Sequence, residues 1–345
     1  LTGFYTVLKD ADRYLRFVFI TGVTKFSQLG IFSNLNQLMD ISMAPDYATI
    51  CGMTKAEIER DFQPELAALA AMNKLTYEQT VNEMTKRYDG YHFSEFLTDG
   101  IYNPFSVLNA LVQERFSSYW IATGTPTMLV DMLKKTDYDL RQLDGIEVPA
   151  AALTDYRADF HNPVPIIYQS GYLTIKGYDP IKNFFILDYP NAEVEYGWLN
   201  FITPYYTSLS EANAPFYIGK FSQELRAGDV DAFMERLRAF FADIPYELND
   251  RTEQHYQIIF YLVFKLLGQY IEAEVRSARG RADAVVKTTD YIYVFEFKLD
   301  GSVDEALRQI DEKGYLIPYQ TAGREVVKVG VEFSAEKRNI GRWLL

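Results

Sequence analysis

The apolar and polar positions divide the chain into segments of different character. Arg16–Gly22 (RFVFITG) sets four apolar residues in a row before Thr21 and Gly22, which predicts a buried strand ending in a polar turn. Met53–Tyr88 is predicted helical. Thr54 with Glu57 has the spacing of a capping box, and Pro64 marks a second helix start. Asp89–Gly90 and Asp99–Gly100 read as turns bracketing a small β element, and Pro104–Phe116 as a further helix. In the middle, Gly124, Thr125 and Pro126 punctuate a helix start. Ser170–Tyr178 and Phe184–Asp188 read as strands, a combination that is winged-helix-like.

The pattern sharpens after Pro215. Phe221–Phe241 is helical, with Leu225, Phe233, Leu237, Phe240 and Phe241 as core. Asp250–Gly268 is apolar nearly all the way round, so the helix it predicts is buried against more than one neighbour. Tyr270–Val275, Ala282–Lys287 and Tyr291–Leu299 read as strands, Val303–Tyr315 as an amphipathic helix, and Val326–Phe333 as a last strand. The fold class is therefore mixed α/β and multidomain, closing in a small α/β domain.

Composition refines this picture. The chain has 345 residues, room for more than one domain, and 48 % hydrophobic residues, enough for sizeable cores. No apolar run reaches the roughly 18 residues of a membrane span, and no leader pattern is present, so no membrane partner is expected. The single cysteine, Cys51, excludes an internal disulfide framework and fits a reducing cytoplasm. It is expected to be a small buried apolar side chain. The first residue is Leu1, so the chain reads as a fragment or processed product. His92, His161 and His255 share no metal-ligand spacing, and zinc is not expected.

The formal net charge of −13 argues against a protein that coats nucleic acid without selectivity. The excess is unevenly placed. Arg251–Leu345 carries 14 basic and 14 acidic residues, which leaves 20 basic and 33 acidic upstream. The last third can approach phosphate with less penalty than the total suggests.

The candidate chemistry lies in Tyr291–Leu299 (YIYVFEFKL). Alternation puts Ile292, Val294, Glu296 and Lys298 on one face of a strand that is apolar on both. A buried carboxylate and ammonium are costly unless paired or used. A hairpin turn at Thr288–Tyr291 would set Asp283 directly opposite Glu296, about 4.5–5.5 Å apart at Cβ. Two carboxylates so close repel unless a cation sits between them. Mg²⁺ takes one or two carboxylates plus water and phosphate oxygens, and Lys298 can hold an attacking water. Arg276, Arg279 and Arg281 either contact phosphates or only balance Glu272 and Glu274.

Gly280–Tyr315 (GRADAVVKTTDYIYVFEFKLDGSVDEALRQIDEKGY) resembles the core of the restriction-endonuclease-like, PD-(D/E)XK nuclease superfamily. The resemblance implies Asp283 as the motif aspartate, Glu296 and Lys298 as the (D/E)XK pair, Gln309 as the later helix glutamine and Glu253 as a first-helix acid. Ala282 stands where the motif proline would be. Phe17–Ser42, Tyr88–Phe93 (YDGYHF), Tyr102–Leu108 (YNPFSVL) and Tyr119–Pro126 (YWIATGTP) resemble a bacterial family of AAA-ATPase-like proteins with this domain at the C-terminus. No G-x-x-x-x-G-K-[ST] motif occurs, so the ATP-binding half is expected outside this chain.

These resemblances imply three regions: a remnant of an ATPase core at 1–50, a helical lid and winged-helix-like region at 51–215, and a nuclease-like domain at 216–345. They also imply Mg²⁺- or Mn²⁺-dependent hydrolysis of nucleic acid, DNA in first place, with ATP used only by the part outside the chain. Asp283 and Glu296 would hold metal, with Lys298, Glu253 and Gln309 as catalytic residues and Arg276, Arg279 and Arg281 on nucleic acid. The alternative is a catalytically inactive nuclease fold used for binding or regulation. Nothing in the sequence fixes an oligomeric state.

Overall fold

The computed structural model describes residues 7, 11–22, 39–96, 99–123, 127–136, 138–154, 162–207, 209, 213–244, 253–275, 282–320 and 323–345. The chain divides into two compact units, Leu1–Tyr138 with Gln142–Gly197, and Asp139–Arg141 with Trp198–Leu345. The architecture is mixed α/β, with one sheet in each unit among the described residues.

In the first unit, the helices α1 (Lys55–Asp61), α2 (Gln63–Asn73), α3 (Tyr77–Tyr88) and α4 (Pro104–Gln113) enclose an apolar core. Leu66, Leu69, Met84, Tyr88, Tyr102 and Val107 lie at its centre. Each helix start has a local cause. Thr54 and Glu57 form the expected capping box of α1, and Pro64 sits in the first turn of α2. A second capping box, Thr76 with Gln79, opens α3, so the helical stretch is three helices rather than two. Asn103 caps α4 through the N–H groups of Phe105 and Ser106. The expected small β element is reduced to single bridges, Met53 with Tyr102 and Tyr91 with Ile101. After α5 (Thr127–Lys135), strand β1 (Ile146–Pro149) precedes α6 (Ala150–Thr154) and α7 (Val164–Gln169). It joins β2 (Thr174–Asp179) and β3 (Phe184–Asp188) in an antiparallel sheet of order β1-β3-β2.

Two expectations fail in this unit. Arg16–Gly22 forms no strand; Phe17 is 81 % and Phe19 53 % exposed. A strand needs a partner for its N–H and C=O groups, and no described strand pairs with it. Cys51 is exposed in the turn before α1 instead of buried.

Helix α8 (Ala192–Tyr206) leads into the second unit. The stretch predicted helical around Phe221–Phe241 is two helices, α9 (Ala214–Arg226) and α10 (Val230–Ala242). Gly228 breaks it at φ +79°, a conformation that suits glycine. All five predicted core residues are buried. Helix α11 (Glu253–Leu267) precedes the strands β4 (Glu272–Val275), β5 (Ala284–Lys287) and β6 (Tyr291–Leu299), followed by α12 (Val303–Glu312) and β7 (Glu325–Ser334). An unpredicted strand β8 (Asn339–Leu344) follows, because the polar turn before it, with Arg338 at φ +53°, folds the chain back on β7.

The sheet order is β4-β5-β6-β7-β8, antiparallel except between β6 and β7, which α12 connects as a parallel crossover. Its two faces explain why β6 is apolar on both sides. On one, Ile310 of α12 packs with Val285, Ile292 and Val294. On the other, Phe233 of α10 and Phe264 of α11 pack on Phe295, while Phe260 stacks on Phe297 with ring centroids 4.1 Å apart. Truncating such a ring to alanine costs about 3–5 kcal/mol.

Candidate active site

The hairpin between β5 and β6 sets the geometry. Thr288 donates its N–H to the Tyr291 carbonyl at 2.8 Å, and its hydroxyl accepts from the Tyr291 N–H at 3.0 Å, closing the turn at the expected place. Ala284 then faces Phe295, and the same register carried one residue further sets Asp283 opposite Glu296. Strand β6 continues beyond the end of β5, so on that side Phe297 has no ladder partner. Asp283 supplies one: its Oδ2 accepts the Phe297 N–H at 2.9 Å. The aspartate is thereby fixed at the strand end beside Glu296.

Glu296 is 2 % exposed. Its Oε1 accepts from Lys298 Nζ at 2.9 Å and from Gln309 Nε2. Gln309 comes from α12, which a capping box at Ser302 and Glu305 starts cleanly. Its Oε1 accepts a second hydrogen bond from Lys298 Nζ, 2.7 Å long, and its Nε2 lies 3.4 Å from the Tyr315 hydroxyl. The ammonium is thus held by both residues at the edge of the site. Glu296 Oε2, in contrast, is buried with no hydrogen-bond partner among the described residues. Burial, and then the negative charge of Asp283, push the Glu296 carboxyl above the usual carboxylate range; Lys298 and the Asp283 backbone amide oppose them.

An unsatisfied buried carboxylate oxygen beside a second carboxylate is what a hard divalent cation would relieve. The donor set fits a hard divalent cation, which takes one or two carboxylates and completes its shell with water. Among the described residues no group of three or more His, Cys, Asp and Glu side chains assembles.

The comparisons with known proteins meet the geometry here. Residues 251–343 match the PD-(D/E)XK nuclease superfamily. The match spans α11 to β8, so the nuclease-superfamily domain contains the whole polar cluster. A relative from Azotobacter chroococcum mcd 1, whose name reads "Uncharacterized protein in vnfD 5'region", is 32 % identical over 359 residues. The alignment covers 99 % of this chain and 65 % of the relative, so the chain spans about two thirds of that protein's length. No solved structure matches.

Asp283, Glu296, Lys298 and Gln309 are brought together by the nuclease-superfamily domain. Arg276, Arg279 and Arg281 lie outside the described residues, as does His161. Glu253 is the first residue of α11, and its side chain also falls outside what the structure describes. His255 is buried on that helix, at 8 % exposure. Two neighbours escaped the sequence reading. Tyr315 follows Gln309 by six positions, a spacing the sequence displays but gives no reason to single out. Arg141 reaches Gln257 of α11 across 116 positions, for which no local signal exists.

Proposed function

We propose that the C-terminal unit hydrolyses phosphodiester bonds of DNA with the help of Mg²⁺ or Mn²⁺ held by Asp283 and Glu296. The observation that carries this reading is the buried Glu296 Oε2 next to Asp283; this oxygen has no hydrogen-bond partner among the described residues. Bound there, the cation would supply Lewis acidity to a phosphoryl oxygen and lower the pKa of a water. The side chains divide the remaining work. Lys298, at 25 % side-chain exposure, has its ammonium fixed by two acceptors. It can orient the attacking water and offset charge that develops on the phosphate. Gln309 does not need to touch substrate: it holds Lys298 and Glu296 at their spacing, and Tyr315 supports it. Asp283, tied to the Phe297 amide, keeps a fixed distance from Glu296. Glu253 assists in this reading, and Arg276, Arg279 and Arg281 contact phosphates.

The reading extends to a longer protein in which an ATPase module is coupled to this site, with 1–50 and 51–215 as the end of that module and its lid. Its support is the resemblance of Phe17–Ser42 and the three later segments to AAA-ATPase-like proteins. A bacterial cytoplasm fits the lone, reduced Cys51, and no described helix is long and apolar enough to cross a membrane.

The test is cleavage of circular DNA by the full chain with Mg²⁺, Mn²⁺ or EDTA. Metal-dependent nicking is expected, and it should vanish in Asp283→Ala, Glu296→Ala and Lys298→Ala. Cutting that survives in all three variants, or that ignores EDTA, sinks the reading. A protein that binds Mn²⁺ in calorimetry yet cuts nothing would instead be a binding or regulatory fold.

A further inference from the structure

Asp283 belongs to two features of the second unit. It adjoins Glu296 in the cluster described above, and it also lines a cleft of about 80 Å³ between α11 and the sheet. The cleft is chemically two-sided. Arg141, Gln257 and Asp283, all partly exposed, supply its polar groups. Its apolar part is largely aromatic and more deeply buried, with Tyr256 and Tyr261 each 2 % exposed and Phe260 stacked on Phe297. Such a cleft suits a group with a polar end and a flat apolar body.

Arg141 is held for use. Asp139 fixes its guanidinium through two bonds, from Nε to Oδ1 at 2.8 Å and from Nη2 to Oδ2 at 2.7 Å. Its Nη1 reaches Gln257 Oε1. These bonds use three of the five N–H groups of an arginine and leave two without a partner among the described residues. A pre-oriented guanidinium with spare donors, in the same cleft as a metal-site carboxylate, is a phosphate-binding arrangement.

We infer that this cleft receives one unpaired nucleotide of the substrate strand, with Arg141 on its phosphate and the aromatic wall against its base. The preferred substrate is then single-stranded nucleic acid or a splayed end, because a base held in a pair cannot turn toward the cleft. Unpaired bases stack on aromatic side chains with little regard to sequence, and a nearby cation holds the backbone. The inference rests on the nuclease reading and narrows it.

Two measurements test it. The first is fluorescence anisotropy of the full chain in EDTA, with a fluorescein-labelled DNA single strand and a blunt hairpin duplex of the same composition. The single strand should bind on the order of tenfold tighter, and Arg141→Ala should abolish that preference. Arg141→Lys, which keeps the charge but loses the planar fork, should restore only part of it. Equal affinity for the two probes, or an unchanged preference in Arg141→Ala, overturns the inference. The second leaves the protein unaltered and so is independent of whether Arg141→Ala folds. A single abasic nucleotide placed in the strand should suppress Mn²⁺-dependent cutting about tenfold at one bond, at a fixed offset. Even cutting past the abasic position overturns the inference. Cleavage that prefers duplex defeats this inference and leaves the nuclease reading intact. A chain that neither binds nor cuts any of these probes defeats both.

Discussion

Each unit buries a glutamate, Glu193 at 4 % exposure in the first and Glu296 at 2 % in the second. Both carboxyls are pushed above the ordinary glutamate range, and burial is the largest cause for each. They differ in what surrounds the oxygens. Glu193 Oε2 accepts the Ser106 hydroxyl at 2.6 Å, and Oε1 accepts the Trp120 N–H at 2.7 Å. Both of its oxygens are satisfied, and the residue ties α8 to α4 and to the loop at Trp120. Glu296 Oε1 accepts from Lys298 and Gln309, while Oε2 has no hydrogen-bond partner among the described residues. Burial and a raised pKa therefore mark both residues equally and identify neither as functional. The two differ in the unpartnered oxygen of Glu296 beside Asp283.

The comparison can be broken most decisively by neutralising each residue in turn. Glu296→Gln should reduce metal-dependent cleavage by about 10³-fold, since the amide cannot serve as an anionic ligand. Its thermal midpoint should stay near that of the parent protein, because the amide oxygen can still accept from Lys298 and Gln309. Glu193→Gln should leave cleavage intact. Equal losses of activity in the two variants would erase the contrast. The next largest effect is on stability. Glu193→Ala strands the Ser106 hydroxyl and the Trp120 N–H and should cost about 2–4 kcal/mol in urea unfolding, with cleavage per folded molecule unchanged. A loss below about 0.5 kcal/mol would show that its bonds are structurally idle.

A pH series sharpens the picture further. Between the ordinary glutamate pKa and its raised folded value, Glu193 keeps its proton in the folded chain and loses it on unfolding. Stability contributed by this group is thus present at low pH and lost as pH rises through that window. The stability difference between the parent and Glu193→Gln should change by at most about 1.4 kcal/mol per pH unit there. A slope of opposite sign would mean that Ser106 and Trp120 outweigh burial. The smallest effect concerns the support of Gln309. Ser302→Ala removes the capping box of α12 and should cost about 1 kcal/mol, with cleavage falling only a few-fold. A collapse of activity would show that α12 needs its cap to place Gln309.

The site was legible in the sequence to the extent that it is local. Alternation put Glu296 and Lys298 on one face, and the turn at Thr288–Tyr291 fixed the register that brings Asp283 alongside. Both follow from the period of two and the geometry of a short hairpin. The helix starts at Thr54 and Pro64 were legible for the same reason, since caps act within a few residues.

Features that depend on distant partners were not legible. Arg16–Gly22 has a strand's composition, yet no described strand pairs with it, and its rings stay exposed. Cys51 sits in a surface turn although cysteine is usually buried. The split at Gly228 and the added strand β8 were decided by how the chain packs back on the sheet. By itself, then, the sequence determined which carboxylates and which ammonium would meet at Asp283, Glu296 and Lys298, because a hairpin needs only its own turn. The tertiary structure alone decided that Gln309 would occupy one oxygen of Glu296, that the other would have no partner among the described residues, and that Arg141 would join the cleft beside Asp283. Those contacts come from separate elements, and only the packing of helices on both faces of the sheet brings them within bonding distance.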